Sequence, residues 1–341
     1  MITLAVETSC DETSAAVLND DKVMSNIISS QLFHTKYGGV VPEVASREHL
    51  KKIVEITEAA LEKADVTVND IGLLCATSEP GLIGALLVGS NFTKSMAIAL
   101  DIPFINVNHI QAHLYSNFLA DQRIEFPFLG LIVSGGHTLL ILVEDFFRHK
   151  ILGSTIDDAA GEAFDKTAKL MGIEYPGGKT IDENSRKGNK YFHKFPDAHL
   201  RGNEFDFSFS GIKTSAMYYL KKIEFEKIRN EELVNNICAS FQEAIVNSLF
   251  SKALKASKIY KVKIISVSGG VSANSGLRER FNTLKTNGYS IYFPPIEYST
   301  DNAAMIGLTG FYKYKYVYNN KNNNFDSLKQ NAKPRLDYEN F

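Results

Sequence analysis

One local pattern occurs twice in this chain and limits its possible folds more than any other feature. An apolar run, Ile2–Glu7, is followed by a polar turn and a second short apolar run, Ala15–Leu18. Phe128–Val133 and Leu139–Val143 repeat the arrangement around the turn Ser134–Thr138. Alternating strand and helix patterns follow each opening. We therefore interpret the chain as two copies of a βββαβα unit, although the sequence identity between the copies is weak.

The length of the chain agrees with two domains. A chain of 341 residues exceeds what one ordinary hydrophobic core holds. We predict an N-terminal lobe over residues 1–110 and a C-terminal lobe over residues 111–318, with a helical insertion at about 175–257. Residues 319–341 begin with the Asn-rich run Asn319–Asn324 and are predicted to form a flexible tail.

The composition is that of a soluble globular protein, with 44% hydrophobic and 22% charged residues. The net charge of −2 provides no global basic field, so RNA binding would require a local basic patch or a partner. The three cysteines are too few and too scattered for a disulfide framework or a C-x-x-C zinc cluster. We expect no signal peptide, no segment long enough to span a membrane, and a cytoplasmic location.

Two histidines at helical spacing form the first candidate site. His109 and His113 are four residues apart, which places both imidazoles on one side of a helix and within reach of one ion. Asn108 is the predicted N-cap, and the positive end of the helix favours the neutral histidine that a metal requires. Spacing alone still favours two ordinary polar residues on a half-exposed helix, so a third ligand is needed.

Asp301 is the best candidate for that third ligand. It precedes the last predicted helix at the carboxyl end of a strand, where it could also be only a helix cap. Two nitrogens and one carboxylate with open positions suit iron(II) or zinc in a catalytic or substrate-orienting role. Ile110 stands where a zinc protease carries its glutamate base, which argues against proteolysis.

Glycine turns follow two predicted strands of the second copy, at Ser134–Thr138 and Ser268–Val271. Glycine lets backbone amides approach a phosphate closely, and ligands of open α/β sheets bind beyond the carboxyl ends of strands. Two such turns favour nucleotide binding, although one alone is usually only a turn. Together with residues 8–14, they are predicted to converge on one cleft between the lobes.

Four polar residues near these turns are further candidates, each with a structural alternative. Asn274 could bind ribose or phosphate, and Asp165 could accept from ribose hydroxyls or be a solvated helix charge. Asp182 follows the turn Tyr175–Gly178 and could help to close over the sugar. Asp11 could hold a metal-bound water or act as a base, or it could only stabilise the first turn.

These segments together resemble the TsaD family, the bacterial tRNA N6-adenosine threonylcarbamoyltransferases once called glycoproteases. So many motifs in the family's order, from near residue 2 to about 310, are not expected by chance. The matching segments are Glu7–Ser14, Gly38–Glu43, Ser46–His49, Pro80–Gly84, His109–His113, Ser134–Thr138, Gly161–Ala168, Tyr175–Gly178, Phe207–Thr214, Ser268–Asn274 and Ser299–Ala304.

The resemblance implies an ASKHA fold, as in actin, Hsp70 and sugar kinases, with two ribonuclease-H-like lobes and a cleft between them. It implies one divalent metal ion per subunit, with Fe²⁺ favoured over Zn²⁺, held by His109, His113 and Asp301. Asp11 falls on the catalytically important acid of the family. The implied contacts to the adenylate substrate are Ile132, Val133, Ser134, Gly135, Gly136, Asp165, Gly178, Asp182 and Asn274.

The resemblance also implies a reaction and its partners. The threonylcarbamoyl group would pass from threonylcarbamoyl-AMP to N6 of the adenosine next to the anticodon, in tRNAs that read codons beginning with adenine. The cleft would hold an adenine nucleotide, that is threonylcarbamoyl-AMP, ATP, ADP or AMP. The implied partners are a TsaB-like paralogue and a TsaE-like ATPase, and a TsaC or Sua5-type enzyme would make the donor.

Three other functions remain open from the residues alone. An ATP-dependent small-molecule kinase of the same fold would not require a histidine pair beside its nucleotide. A metalloprotease would require the missing glutamate at position 110. A non-enzymatic scaffold would bind the nucleotide tightly without turning it over.

Overall fold

The computed structural model describes residues 1–31, 34, 39–120, 124–196, 202–319, 324–337 and 341. The strands are β1 (Ile2–Glu7), β2 (Glu12–Asn19), β3 (Lys22–Ser30), β4 (Leu73–Glu79), β5 (Phe104–Asn108), β6 (Phe128–Val133), β7 (Thr138–Asp145), β8 (Arg148–Ser154), β9 (Ile264–Ser268) and β10 (Ser290–Tyr292). The α-helices are α1 (Pro42–Lys63), α2 (Ile83–Leu100), α3 (His109–Tyr115), α4 (Ala160–Leu170), α5 (Gly177–Ser185), α6 (Ser210–Lys222), α7 (Phe225–Ile228), α8 (Glu231–Tyr260), α9 (Ser275–Asn282), α10 (Ala303–Tyr316) and α11 (Asn324–Lys329).

The chain forms two compact units, each built on one five-stranded sheet. The first unit comprises residues 1–123 and 294–341, and the second comprises residues 124–293. The strand order is β3-β2-β1-β4-β5 in the first unit and β8-β7-β6-β9-β10 in the second. In each sheet the first three strands of the unit are antiparallel, and the last two are parallel to the first. This common order confirms the duplicated unit predicted from the sequence.

The unit boundaries differ from the predicted ones, which placed residues 111–318 in the C-terminal lobe. Residues 111–123 and 294–318 belong instead to the first unit. Helix α10 is buried along almost its whole length and packs on β1, β2, β4 and β5. The apolar pattern of a helix shows that it is buried, but not which of two similar sheets it covers.

The described part of the C-terminal tail is hydrogen-bonded to the rest of the first unit at several points. Asn106 Nδ2 donates to the carbonyl of Ser327 at 2.5 Å, and the Lys333 amide donates to the carbonyl of Ser78 at 2.8 Å. The predicted flexible tail is therefore wrong for residues 324–337. Residues 320–323 of the Asn-rich run lie outside the described part of the chain.

Two further departures concern helices. The predicted helical insertion at about 175–257 contains α5, α6, α7 and most of α8, with Glu224 in the left-handed region at φ 52° between α6 and α7. Helix α2 is long and apolar enough, by length and composition alone, to cross a membrane, contrary to our expectation. One such helix is a weak indication, because core helices of soluble domains pass the same test. Here α2 packs against β4 and α1.

Strands β3 and β8 are the third strands of the two predicted βββαβα units, but their residues were not identified from the sequence. Both lie at an edge of their sheet. Their residues alternate between buried, half-buried and exposed positions and include several polar side chains. An edge strand that is solvated on much of its surface has a weaker hydrophobic pattern than the central strands. The central strands, by contrast, are almost fully buried and were predicted.

The packing of α10 on the first sheet leads to a stability prediction. A Cβ at Gly310 would overlap with Cys75 Sγ and would lie 2.9 Å from Cys75 Cβ. We expect Gly310→Ala to lower the free energy of unfolding by about 1–3 kcal/mol, because the buried site cannot accommodate the added volume. Urea unfolding measures the change. Gly211→Ala is the control, since no heavy atom lies within 4 Å of its Cβ position. An unchanged midpoint for Gly310→Ala would contradict the close packing.

Candidate metal centre and nucleotide site

Helix α3 presents the two histidines in one direction. Strand β5 ends at Asn108, whose side chain accepts hydrogen bonds from the amides of Ile110 at 2.9 Å and Gln111 at 3.2 Å. This confirms the predicted N-cap, which starts the helix directly at His109. The rings of His109 and His113 are then 4.6 Å apart between their centroids.

Asp301 completes a group of three potential ligands within the first unit. Its Oδ1 lies 3.1 Å from His113 Nε2 and 3.4 Å from His109 Nε2. Atoms of the three side chains all lie within 4.8 Å of one another and could hold a metal ion. The N-cap of α10 is Asn302, which accepts from the Met305 amide at 3.1 Å, so the Asp301 carboxylate is not used as a helix cap.

The segment that carries Asp301 is attached to the first sheet by its neighbours. The amide of Ala303 donates to Ser14 Oγ in β2 at 2.9 Å, and Asn302 Nδ2 donates to the carbonyl of Thr300 at 2.8 Å. These bonds fix the backbone on both sides of Asp301. The donor set of two imidazole nitrogens and one carboxylate oxygen fits zinc or iron(II) with open coordination positions.

A buried carboxylate contacts Nδ1 of His109, the ring nitrogen that is not the one near Asp301. Glu7 is fully buried, and its Oε2 lies 3.1 Å from His109 Nδ1. Glu7 also accepts from the Ser9 amide and from Thr77 Oγ1, each at 2.5 Å. A carboxylate on Nδ1 fixes the tautomer of a histidine and directs the lone pair of Nε2 toward the ligand. Nδ1 of His113 is buried with no hydrogen-bond partner among the described residues, so this ring is oriented by its packing and by the contact of Nε2 with Asp301.

Glu7 was quoted in a motif but not recognised as a site residue. Its signal in the sequence is a carboxylate at the end of the apolar strand β1. Lys, Glu, Arg and Asp are rarely buried unless they are paired. The pairing with a histidine 102 positions away in the chain was not visible locally.

The charges of this group shift one another's pKa. Burial would raise the pKa of Asp301, but the charge and hydrogen bond of His109 hold it well below its usual range. Burial would lower the pKa of His109, but Asp301 and Glu7 raise it well above its usual value. Burial and the nearby His109 lower the pKa of His113, despite its hydrogen bond to Asp301. Metal binding must therefore compete with the proton of His109, so metal affinity should fall as the pH is lowered.

The contact between Glu7 and His109 leads to a second prediction. We expect Glu7→Gln to weaken metal binding by about 10–100-fold, because the neutral amide no longer fixes the charge and tautomer of His109. Titration against a chelator of known affinity measures the change. Glu58→Gln on the exposed face of α1 is the matched control. Equal affinities of Glu7→Gln and the unaltered protein would remove Glu7 from the site.

The loop after β1 places two carboxyl groups near the three ligands. Burial and the charges of Asp301 and Asp11 raise the pKa of Glu12 to about 9. Such a rise favours the neutral carboxyl form of Glu12, and a neutral carboxyl group can donate a hydrogen bond. Asp11 lies beside it and is half-buried.

A buried histidine holds this loop at both ends. His49 Nε2 lies 2.9 Å from the carbonyl oxygen of Cys10, and its Nδ1 lies 2.8 Å from Thr13 Oγ1. The side chain of His49 is fully buried, and burial lowers its pKa. Asp11 lies between the two anchored residues, and its backbone carbonyl accepts from the Gln31 amide at 3.2 Å. The position of Asp11 is therefore supported by a residue quoted only as part of a motif.

In the second unit, the two glycine turns lie side by side, and the predicted convergence with residues 8–14 on one cleft stays a prediction. Strands β6 and β9 are parallel neighbours, so the turns after them lie at the same edge of the sheet. Gly269 has φ 87°, and a Cβ there would lie 2.5 Å from the carbonyl oxygen of Val133. The Gly161 amide donates to the carbonyl of Ser134 at 3.2 Å, which attaches α4 to the first turn. Ile132 and Val133 lie in β6, and Gly135 and Gly136 have open space at their Cβ positions.

The other predicted nucleotide contacts lie on the helices that follow these turns. Asp165 Oδ1 accepts from the amides of Gly177 at 2.8 Å and Gly178 at 3.1 Å, which joins α4 to α5. Burial raises the pKa of Asp165 despite these bonds. Asp182 Oδ1 accepts from Ser275 Oγ at 2.7 Å, which joins α5 to α9.

Asn274 is also held by the protein. Its Oδ1 caps α9 by accepting from the Leu277 amide at 2.9 Å, and its Nδ2 donates to Gln242 Oε1 at 2.6 Å. Gln242 Nε2 in turn donates to Ser185 Oγ at 2.7 Å. Gln242 was not identified from the sequence, because an amide within the long amphipathic pattern of α8 gives no local indication of its partner. These bonds order the segments that carry the predicted contacts.

Fold and site together define the class of this protein. Two units with the strand order of the ribonuclease-H-like lobe form the ASKHA fold, and here the first unit carries two buried histidines beside the half-buried Asp301. Solved structures agree with the fold. Full-length HypF in a phosphate- and nucleotide-bound form is 15% identical, with a TM-score of 0.61 over 93% of this chain and 46% of that chain. Component A of the Acidaminococcus fermentans (R)-2-hydroxyglutaryl-CoA dehydratase is 15% identical, with a TM-score of 0.54 over 92% of this chain and 98% of that chain.

Sequence comparison gives the family. The family model described as "TsaD: tRNA N6-adenosine threonylcarbamoyltransferase" matches residues 22–308. Two proteins named tRNA N6-adenosine threonylcarbamoyltransferase are similar over most of their length. The one from Clostridioides difficile is 50% identical over 92% of this chain and 93% of the relative, and the one from Kosmotoga olearia is 48% identical over 92% and 94%. The chain therefore belongs to the TsaD family and is a transferase of tRNA modification.

Proposed function

We propose that this chain transfers the threonylcarbamoyl group from threonylcarbamoyl-AMP to N6 of the tRNA adenosine next to the anticodon, in tRNAs reading codons that begin with adenine. The observation that carries the proposal is the group of the buried His109 and His113 with the half-buried Asp301, in a chain of this family. A divalent ion held there, with Fe²⁺ favoured over Zn²⁺, would polarise carbonyl or carboxylate oxygens of the donor.

The proposed reaction is an acyl transfer. The exocyclic amine attacks the activated carbonyl carbon, a C–N bond forms, and the bond between that carbon and the phosphate oxygen of AMP breaks. AMP leaves with the electron pair, and the amine loses one proton. Asp11 is proposed to orient the amine or to accept this proton.

The adenylate is proposed to bind to the second unit. Backbone amides of the turn Ser134–Gly136 would hold the phosphate and stabilise the charge that develops on it. Asp165 would face the ribose with Oδ2, which forms no hydrogen bond with a described residue. Gly178, Asp182 and Asn274 would complete the sugar side, on segments whose mutual hydrogen bonds supply support.

Reconstitution tests this proposal. The purified chain is combined with a TsaB-like paralogue, a TsaE-like ATPase, a TsaC-type donor-producing enzyme and tRNA, and the nucleosides are analysed by mass spectrometry. We expect N6-threonylcarbamoyladenosine and stoichiometric AMP. No modified nucleoside under any combination of partners would overturn the proposal. Transfer of phosphate to a small molecule would favour a kinase, and peptide hydrolysis lost in His113→Ala would favour a protease.

The proposed TsaB-like partner has a possible docking surface on the first unit. Leu50 and Val54 of α1 are 69% and 52% exposed, and Ile83 and Leu87 of α2 are 45% and 43% exposed. Each pair is spaced by one helical turn, and α1 and α2 pack on each other where a Cβ at Gly84 would approach Ser46 Oγ to 2.5 Å. A paralogue with the same kind of unit offers a similar helix pair for self-complementary packing.

A charge among the exposed apolar side chains of this docking surface should prevent assembly with the TsaB-like paralogue. We expect Leu50→Asp to abolish co-elution with the TsaB-like paralogue in size-exclusion chromatography, because the carboxylate would be buried without a partner. Ile98→Asp is the matched control, since Ile98 is 67% exposed and lies near the opposite end of α2. Co-elution of Leu50→Asp with unchanged affinity would place the interface elsewhere.

We also propose a cytoplasmic location for this protein, because its proposed substrate is tRNA.

A further inference from the structure

The segment from Arg186 to Lys194 differs in charge from the rest of the chain. Its sequence is Arg-Lys-Gly-Asn-Lys-Tyr-Phe-His-Lys, with four cationic side chains, two aromatic residues and a histidine, and no acidic residue. The whole chain carries a net charge of −2. Three of these cations form ion pairs with acids outside the segment, namely Asp182, Glu231 and Glu243, whereas Lys194 forms none with a described residue. Exposed cations beside aromatic residues are a pattern typical of RNA-binding surfaces, and exposed ion pairs of this kind are weak enough to exchange for a phosphate.

This segment is held on α8 by hydrogen bonds. The Asn189 amide donates to Asn236 Oδ1 at 2.7 Å, and the His193 amide donates to Ser240 Oγ at 3.1 Å. Ser240 Oγ also donates to the carbonyl of Asn189 at 3.3 Å. Gly188 approaches the backbone of α8 so closely that a Cβ would overlap with it. The loop is therefore supported along its length, so its side chains are presented in a fixed arrangement.

The fixed loop presents aromatic side chains to solvent. Tyr191 is 80% exposed and Phe192 is 42% exposed. The ammonium of Lys190 lies 5.3 Å from the centroid of the Tyr191 ring and 3.6 Å from Glu243 Oε2, so its charge is shared between the ring and a carboxylate. The His193 ring, in contrast, is stacked on Tyr219 at 3.8 Å and anchors the loop to α6. An exposed aromatic ring on an ordered loop gains its stabilisation from a binding partner rather than from the core.

The loop begins beside the proposed adenylate contacts. Arg186 forms an ion pair with Asp182 Oδ2 at 2.8 Å, and its Nε donates to Ser275 Oγ at 2.9 Å. Ser275 is itself bound to Asp182 and follows Asn274 in the chain. A ligand on the loop would thus lie on the same unit as the donor and next to the residues that hold its sugar.

We propose that residues 186–194 bind the single-stranded loop of the RNA substrate, with Tyr191 stacking on an unpaired base and with Lys194 contacting a phosphate. The proposal rests on the proposed transfer to tRNA. Proteins recognise single-stranded RNA by stacking bases on aromatic side chains and by placing cations along the backbone. A stacked base next to the modified adenosine would hold the anticodon loop at the donor without any net positive charge on the chain.

Binding of an anticodon stem-loop to the assembled complex tests the proposal independently of turnover. The full chain with its partner subunits is titrated into labelled stem-loop RNA, and fluorescence anisotropy gives the Kd. We expect Tyr191→Ala to raise the Kd about 5- to 150-fold, the range of base–aromatic stacking, and Tyr191→Phe to restore binding. Tyr218→Ala is the matched control, because Tyr218 is 64% exposed on α6 and outside the loop. In the transfer assay, Tyr191→Ala should raise the KM for tRNA and leave the KM for the donor unchanged.

The phosphate contact has its own measurement. We expect Lys194→Gln to reduce the slope of log Kd against log salt by about 0.7, the value for one phosphate contact to a single strand. Lys285→Gln is the matched control and should leave this slope unchanged, because Lys285 is an exposed lysine in the segment that follows α9, outside the loop.

Three outcomes would overturn the inference. An unchanged Kd for Tyr191→Ala would remove the stacking contact, and an unchanged salt slope for Lys194→Gln would remove the phosphate contact. Loss of the partner subunits from the Tyr191→Ala complex would assign the loop to a protein interface instead. Failure of the proposed function itself is distinguishable, because the unaltered complex would then modify no tRNA at all.

Discussion

Replacing His113 with alanine is expected to reduce metal affinity by more than about 100-fold and to abolish transfer. Loss of a residue that only supports a metal ligand typically costs 10–100-fold, and loss of a ligand itself should cost more. His113 is fully buried, with Nε2 3.1 Å from Asp301, so the deletion also leaves the carboxylate without one of its two imidazole partners. Metal analysis of anaerobically purified protein measures the result.

The control for this substitution lies on the same helix. Gln111→Ala removes a half-buried side chain of α3 that is not part of the ligand group, and it should retain metal and activity. The affinity of the unaltered protein should also fall as the pH is lowered, since Asp301 and Glu7 raise the pKa of His109. Unchanged metal content in His113→Ala would refute the ligand assignment, whatever happens to activity.

Asp11→Asn is expected to lower kcat by about 10²- to 10⁴-fold, the usual contribution of a positioned acid or base. The amide has nearly the same shape, so the loop held by His49 should keep its structure. Metal content should be unaffected, because Asp11 is not among the three clustered ligands. Single-turnover measurement of N6-threonylcarbamoyladenosine with saturating donor and tRNA isolates the transfer step.

Asp21→Asn, an exposed aspartate between β2 and β3, is the control for charge removal from the same region. If Asp11→Asn loses metal together with activity, Asp11 contributes to metal binding rather than to proton transfer. If kcat is unchanged, the role of Asp11 is limited to stabilising its turn. The two measurements together separate the three possible roles of this residue.

The parts of the site that lie on one element could be predicted well. His109, His113 and their N-cap Asn108 lie within six consecutive residues, and the α-helical period alone puts both rings on one side. The two glycine turns of the second unit could also be predicted to meet, because β6 and β9 are parallel neighbours whose carboxyl ends share one edge. In each case short-range geometry determines the result.

The hydrogen bonds that hold these site residues in place could not be predicted from the sequence. Glu7 reaches His109 across 102 residues, and Gln242 reaches Asn274 across 32. His49 was part of a recognised motif, but its contacts with the two ends of the Asp11 loop were not visible. A hydrogen bond between distant residues depends on the register and packing of the elements that carry them, and neither is encoded in local periodicity.

The sequence by itself determined the duplicated sheet, the histidine pair and the family, because each depends on local patterns or on motifs in a fixed order. Only the tertiary structure decided where the end of the chain belongs. Helix α10 packs on the first sheet, and Asp301 lies just before this helix. Oδ1 of Asp301 is therefore 3.1 Å from His113 Nε2 and 3.4 Å from His109 Nε2, although the histidines lie almost two hundred residues earlier in the chain. The physical reason is that burial of an apolar helix can be satisfied on either of two similar sheets, and the complementary packing of Gly307 and Gly310 on the first sheet selects between them.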